Sequence, residues 1–218
     1  MDNKNLRARL FYRTFGFLYD KLITVNGYKR SLTHFLQRLD FPENYPRILD
    51  AGCGSGLVSF ALLEKFQRAE VVAFDCNKEM VESAFRINRQ KKYSCLELLI
   101  GDIGKMDSFA RLDGRKYSLE EGSFDYAFAA GSLEYSDLKT GVAKLAGILK
   151  TGGKLYDIAV RDNFMGRSVG AVQGFRPSSL LEITDAFTQA SLREIQEVPF
   201  SNEERNAGRI KIVICGTK

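Results

Sequence analysis

The run Arg47-Ile48-Leu49-Asp50-Ala51-Gly52-Cys53-Gly54-Ser55-Gly56 sets the strictest condition on the path of this chain. Its first residues are short and apolar, as in a strand buried on both faces. Three glycines at alternate positions then lead into a helical pattern that starts near Leu57. Glycine admits a positive φ and a close approach of backbone to ligand, and the helix start beyond it presents unpaired N–H groups. Strand, glycine turn and helix together make a cradle for a small molecule. The spacing is G-x-G-x-G and not the G-x-G-x-x-G of the dinucleotide fingerprint. One acid, Asp50, precedes the turn, and another, Asp75, ends the next strand. A carboxylate beside the cradle repels a pyrophosphate and suits a ligand with an amine. On this stretch alone, a turn that serves only strand–helix packing stays open.

Strand and helix patterns then alternate. Strands are expected at Arg47–Gly52, Glu70–Asp75, Cys95–Ile100, Asp125–Ala130 and Lys154–Val160. Helices follow at Leu57–Phe66, through Met80, Val81, Ala84 and Phe85 behind an Asn77 cap, and along the stripe Leu138, Val142, Leu145 and Leu149. Residues 104–122 read as loop, and Arg161 to Pro177 as a connector too long for an ordinary βα loop. Ser179 and Glu182 have capping-box spacing. Leu192–Phe200 and Arg209–Cys215, joined by a polar turn, read as an antiparallel hairpin. The expected fold class is therefore α/β: a Rossmann-like, doubly wound, mostly parallel sheet of seven strands with a C-terminal antiparallel hairpin. Ligands of such sheets sit at the carboxyl ends of the strands, which gathers residues 50–56, Asp75, Asp102 and residues 130–135 onto one rim.

Ahead of this core, residues 1–44 are expected to form a helical arm, and residues 45–218 the α/β domain. Leu6, Leu10, Phe11, Phe15 and Leu18 approach a helical period, and Tyr28, Leu32, Phe35, Leu36 and Leu39 repeat it. His34, the one histidine, lies between apolar positions of the second helix and reads as structural or solvent-facing.

Composition narrows the class further. The chain has 218 residues, and no apolar run approaches the ~20 residues of a membrane span. The N-terminus lacks the pattern of a signal peptide, so a cytoplasmic protein without stable membrane insertion is expected. Four cysteines form no C-x-x-C pair and one histidine cannot build a metal cluster, so no metal is expected and the thiols read as buried and reduced. The net charge of +5 is spread over several helices and does not form one basic run, which argues against nucleic acid as the partner.

The motifs, taken in order over residues 45–217, resemble the class I S-adenosylmethionine-dependent methyltransferases. Leu49-Asp50-Ala51-Gly52-Cys53-Gly54-Ser55-Gly56 is similar to the family's first motif, and the parallel sheet closed by a hairpin is similar to its fold. The aromatic arm with Leu18-Tyr19-Asp20 resembles that of small-molecule, quinone and lipid methyltransferases. The resemblance implies S-adenosyl-L-methionine as cofactor, held by Tyr19, Asp50, Ala51, Gly52, Cys53, Gly54, Gly56, Asp75, Cys76, Asp102, Ile103, Ala130 and Gly131. Asp75 would take both ribose hydroxyls, a contact that a carboxylate can make with its two oxygens. Asp102 would meet the adenine amino group and Ile103 its ring. Methyl transfer works largely by alignment and exclusion of water, with a base needed only where the acceptor must lose a proton. Tyr19, Glu134 and Tyr135 are the candidate catalytic groups; the chain has Glu134-Tyr135 where family members often carry a histidine. The absence of an Asn/Asp-Pro-Pro-Tyr motif and of a Pro-Cys pair points away from nucleic-acid bases and toward a small-molecule acceptor. A catalytically silent cofactor-binding subunit and a nucleic-acid methyltransferase are the alternatives, and a nicotinamide oxidoreductase is disfavoured by glycine spacing and hairpin. The oligomeric state is not legible.

Overall fold

A computed structural model of the chain describes residues 27–218. Helix α1 (Tyr28–Arg38) precedes strand β1 (Arg47–Ala51), helix α2 (Leu57–Lys65), β2 (Glu70–Asp75), α3 (Lys78–Lys91) and β3 (Leu96–Asp102). Two further strands, β4 (Lys105–Arg111) and β5 (Lys116–Tyr117), come before β6 (Phe124–Ala130), α4 (Leu138–Ile148) and β7 (Leu149–Val160). Helices α5 (Phe164–Gln173) and α6 (Leu180–Gln189), strand β8 (Arg193–Glu197), the short helix α7 (Arg205–Gly208) and strand β9 (Lys211–Thr217) complete it.

All nine strands join one sheet in the order β5-β4-β3-β2-β1-β6-β7-β9-β8. Its centre, β3-β2-β1-β6-β7, is parallel. The last two strands run antiparallel, β9 between β7 and β8. The α/β class, the parallel centre and the antiparallel end therefore stand as expected. The number of strands does not: residues 104–122 are not loop but contribute β4 and β5, antiparallel to β3 and to each other. These strands carry charge at their exposed edge, as sheet edges do, which hides the alternation that marks a strand. What fixes β4 is Phe109, 2% exposed, whose ring lies against Phe74 and directly over Gly101. A Cβ on Gly101 would come within 2.2 Å of that ring.

The 161–177 connector also holds structure. Asn163 accepts a hydrogen bond from the Gly166 N–H at 2.8 Å and so starts α5. The polar turn between the last strands contains a single 3-10 turn and α7.

Two cores cover the two faces of the sheet. One packs Ile48, Val71, Phe128 and Val213 against α1, α2 and α3, through Phe35, Leu62 and Val81. The other packs Leu49, Phe74, Phe124 and Ile214 against α4 and α6, through Leu145 and Phe187. Helix α1 thus shares a core with the sheet, with Phe35 and Leu36 fully buried. Its polar side is tied to the segment before α7: the Arg38 guanidinium donates to Glu204 Oε1 at 3.1 Å, and His34 Nδ1 lies 3.0 Å from the same oxygen. No described helix is long and apolar enough to cross a membrane.

Candidate active site

The parallel strands end on a common rim, and one cavity opens there. It is lined by Asp50, Gly52, Cys53 and Gly54 after β1, by Asp75 and Cys76 after β2, by Asp102 and Ile103 after β3, and by Ala130, Gly131 and Tyr135 after β6. The topology thus brings together eleven of the residues expected from the sequence. Ala51, Gly56 and Glu134 do not line the cavity, and Tyr19 lies outside the described residues.

The glycine turn is held from behind. The N–H groups of Gly52 and Cys53 both donate to the Phe74 carbonyl at 2.8 Å, tying the turn to β2. Gly52 has φ +76°, and a Cβ there would lie 2.3 Å from Cβ of Ser132. Ser132 in turn donates its hydroxyl to the Ala51 carbonyl at 2.7 Å, so β1 and β6 end in a fixed relation. Gly56 packs under the Phe60 ring, where a Cβ would come within 2.6 Å, and its N–H closes the turn on the Cys53 carbonyl. Ala51 and Gly56 shape the cradle without facing into it. At Gly54, by contrast, an added Cβ would meet nothing within 4 Å among the described residues, which leave the middle of the cradle open.

The acids are held in distinct ways. Asp75 accepts from the Gly54 N–H through Oδ2 at 2.9 Å and from the Asn77 N–H through Oδ1 at 2.8 Å. That brackets the carboxylate between the glycine turn and the start of α3. Asp102 accepts from the Gly104 N–H at 2.8 Å. Asp50 is fully buried, and its Oδ2 accepts from both the N–H and the hydroxyl of Ser59, at 3.0 and 2.6 Å. Its Oδ1 is buried and has no hydrogen-bond partner among the described residues. Burial raises the Asp50 carboxyl to about 6 against the pull of the Ser59 bonds, and the nearby Asp75 adds to the rise. Burial, with Asp50 and Asp75 behind it, also holds the Cys53 thiol well above its ordinary range, so it is no nucleophile.

The far end of the cavity, beyond Gly131, is formed by groups the sequence reading did not single out. Tyr28, Val160, Gln173 and Lys211 line it, from α1, β7, α5 and β9. Because β9 runs antiparallel to β7, its first residue, Lys211, pairs with the last of β7, Val160, and reaches the rim where the parallel strands end. The Lys211 ammonium lies over Gly131, 2.8 Å from where a Cβ would stand. Glu134 sits behind it, 8% exposed, with Oε1 accepting from the Val160 N–H at 2.6 Å and lying 3.9 Å from the ammonium. Tyr135 donates its hydroxyl to Gln173 at 2.8 Å and packs edge-on against Phe175, closing the α5 side. Buried Asp157 adds a third ionisable group; burial, then the Glu134 charge, push its carboxyl well up, while Lys211 opposes them. Burial and Glu134 likewise raise the Tyr28 phenol. His34 takes no part in lining the cavity.

Residues 49–155 match the family model of a methyltransferase domain. The chain is 28% identical to a malonyl-[acyl-carrier protein] O-methyltransferase of Xylella fastidiosa over 71% of its own length and 44% of the relative's. It is 27% identical to a ubiquinone biosynthesis O-methyltransferase of Idiomarina loihiensis over 72% and 68%. The match thus spans less than half the length of the first relative. Among solved structures, geranyl diphosphate C-methyltransferase from Streptomyces coelicolor, in complex with Mg2+, geranyl diphosphate and S-adenosyl-L-homocysteine, has the same fold. It aligns with a TM-score of 0.68 at 14% identity, covering 86% of this chain and 80% of that one.

Proposed function

We propose that the chain, whose residues 49–155 match a methyltransferase domain, is a class I S-adenosylmethionine-dependent methyltransferase and that it methylates a small molecule, of quinone-like or lipid-like character. The observation that carries the reading is the buried Asp50 Oδ1, without a partner among the described residues, at a cradle whose centre, Gly54, none of those residues fills. An orphaned carboxylate oxygen in such a place calls for a donor from a ligand, and the amine of an α-amino acid supplies one. Asp75 presents one carboxylate oxygen toward the glycine turn and one toward the start of α3, and two such acceptors side by side suit a vicinal diol. Ile103 and Met80 offer the apolar walls that an aromatic base requires. These acceptors and walls fit the amino acid, ribose and adenine parts of S-adenosylmethionine. When bound, that cofactor supplies a methyl group on a sulfonium, with a neutral thioether as leaving group. The chain's own contribution is then placement: Asp75 and Asp50 hold the two ends, Ala130 and Gly131 leave room between them, and Tyr135 with Gln173 and Phe175 shuts out water.

The names of the two relatives support an oxygen acceptor in a small or carrier-bound molecule. The exclusion of nucleic acid rests on charge distribution and on the missing base-methylation motifs.

Calorimetric titration with S-adenosylmethionine and S-adenosylhomocysteine tests the reading. The wild type binds both, and Asp75→Ala weakens both by about tenfold to a hundredfold, the effect of losing charge-assisted hydrogen bonds worth about 1.5–3 kcal/mol. A wild type that binds neither removes the proposal. Binding without turnover of any acceptor would favour the silent, cofactor-binding subunit.

A further inference from the structure

The cavity carries a buried cation beside Gly131, and the cofactor-holding residues leave it without a role. Lys211 is 6% exposed, lines the cavity, and makes no hydrogen bond of ordinary length from its ammonium among the described residues. A lysine so buried has given up most of its water and needs partners. Its closest carboxylate, Glu134, is 3.9 Å away and already spends Oε1 on the Val160 N–H. Among the described residues, the second Glu134 oxygen and both oxygens of Asp157 are buried without hydrogen-bond partners, and neither residue lines the cavity. The order matters. A ligand entering this end meets the ammonium first, with the carboxylates behind it, so the site is presented as positive. Gly131, with φ +71°, has no side chain to hold the ammonium off the rim.

We propose that Lys211 is the acceptor-binding cation of the active site, and that the reacting atom of the acceptor is an oxygen that arrives as an anion, a carboxylate or an acidic phenol or enol. The inference rests on the methyltransferase reading and deepens it. Glu134 holds Lys211 in place through its bond to β7, and is a positioning residue. An acceptor that arrives ionised delivers no proton, so the protein needs no base in the cavity. Transfer joins the anionic oxygen to the methyl carbon as the carbon–sulfur bond breaks; the electron pair of that bond stays on sulfur, which becomes neutral. The ammonium lines up the oxygen and is itself unchanged at the end. An amine acceptor is disfavoured by the same geometry, since its ammonium form would face Lys211 at close range.

The test uses the wild-type protein saturated with S-adenosylhomocysteine, and two pairs of probes: hexanoate against hexanamide, and 4-nitrophenol against 4-nitroanisole. Each pair differs mainly in whether an oxygen can carry charge. The wild type prefers hexanoate to hexanamide by about tenfold or more, as a charge-assisted contact requires. If phenols are the class, bound 4-nitrophenol instead shows the absorbance of its ionised form at a pH where the unbound phenol is neutral. Lys211→Met abolishes the preference while S-adenosylhomocysteine binds as before, and Lys211→Arg restores part of it. Equal affinity for charged and neutral members of both pairs overturns the proposal, without relying on any variant. So does a preference that survives in Lys211→Met. If S-adenosylhomocysteine itself fails to bind, the cofactor reading falls first and this one with it, which keeps the two failures apart.

Discussion

Asp50 has two oxygens in unlike surroundings, one bonded twice to Ser59 and one without a hydrogen-bond partner among the described residues. At a value of about 6, the carboxyl is close to half protonated at pH 6 when the cavity holds no ligand. An amine brought against Oδ1 favours the charged form and drives the proton off. Binding of S-adenosylmethionine at pH 6 is therefore expected to release up to about half a proton by linkage, measured as the dependence of the calorimetric heat on the ionisation enthalpy of the buffer. Asp50→Asn abolishes that release; an unchanged release in the variant would place the amine elsewhere. Asp50 was legible in the sequence because a carboxylate directly before a glycine turn has few other uses. Lys211 was not. It opens a strand whose next residues, Ile212 to Cys215, form an unbroken apolar run, where a lysine ordinarily marks the solvent end, and only the antiparallel pairing with β7 turns it toward the cavity.

Among the elements, α1 is packed on the sheet by its apolar face and tied by its polar face to Glu204. Glu204 is fully buried and accepts from Arg38, from the Ser201 N–H, and shares its Oε1 with His34. Burial raises the Glu204 carboxyl, but the bonds from Arg38, Ser201 and His34 outweigh it and hold the group low. Its contribution is thus present above the usual carboxylate range and is lost as the pH falls through the lowered value. Glu204→Gln is expected to cost about 1–2 kcal/mol, less than a fully buried pair because Arg38 and His34 are half exposed. Faster amide exchange confined to residues 28–38 checks it; uniform acceleration over the sheet would mean that the bond supports the whole fold. The helical period of α1 was plain in the sequence, since Leu32, Phe35 and Leu36 are its buried face. Its tie to Glu204 was not, because the partners are 166 residues apart. Strand β4 escaped for a different reason: only Phe109 is buried along it, and one apolar residue makes no pattern.

At the scale of the molecule, burial raises two acids among the described residues, Asp50 at the cradle and Asp157 within β7. A carboxyl raised on folding stabilises fully below its unfolded value, and that help is lost as the pH rises through the folded value. For Asp50 the window runs from 3.8 to about 6, which corresponds to about 3 kcal/mol as an upper order of magnitude. Ligand-free protein is therefore expected to lose stability toward denaturant between about pH 4 and 6 relative to Asp50→Asn. Parallel pH profiles of the two proteins would exclude Asp50 as the cause. The overall plan, a parallel centre with an antiparallel end, was readable because each βα unit carries its own apolar run and turn. Strand order within that end was not, and it has a consequence for how the chain is made. Synthesis proceeds from the N-terminus, and structure forms in that order where it can. The cradle of residues 50–75 leaves the ribosome long before Lys211. Strand β8 emerges before β9 yet touches the sheet only through it. A nascent chain can thus complete its cofactor cradle while β8 waits unpaired, and the final strand, on sliding in between β7 and β8, seals the sheet and delivers the acceptor cation in the same event.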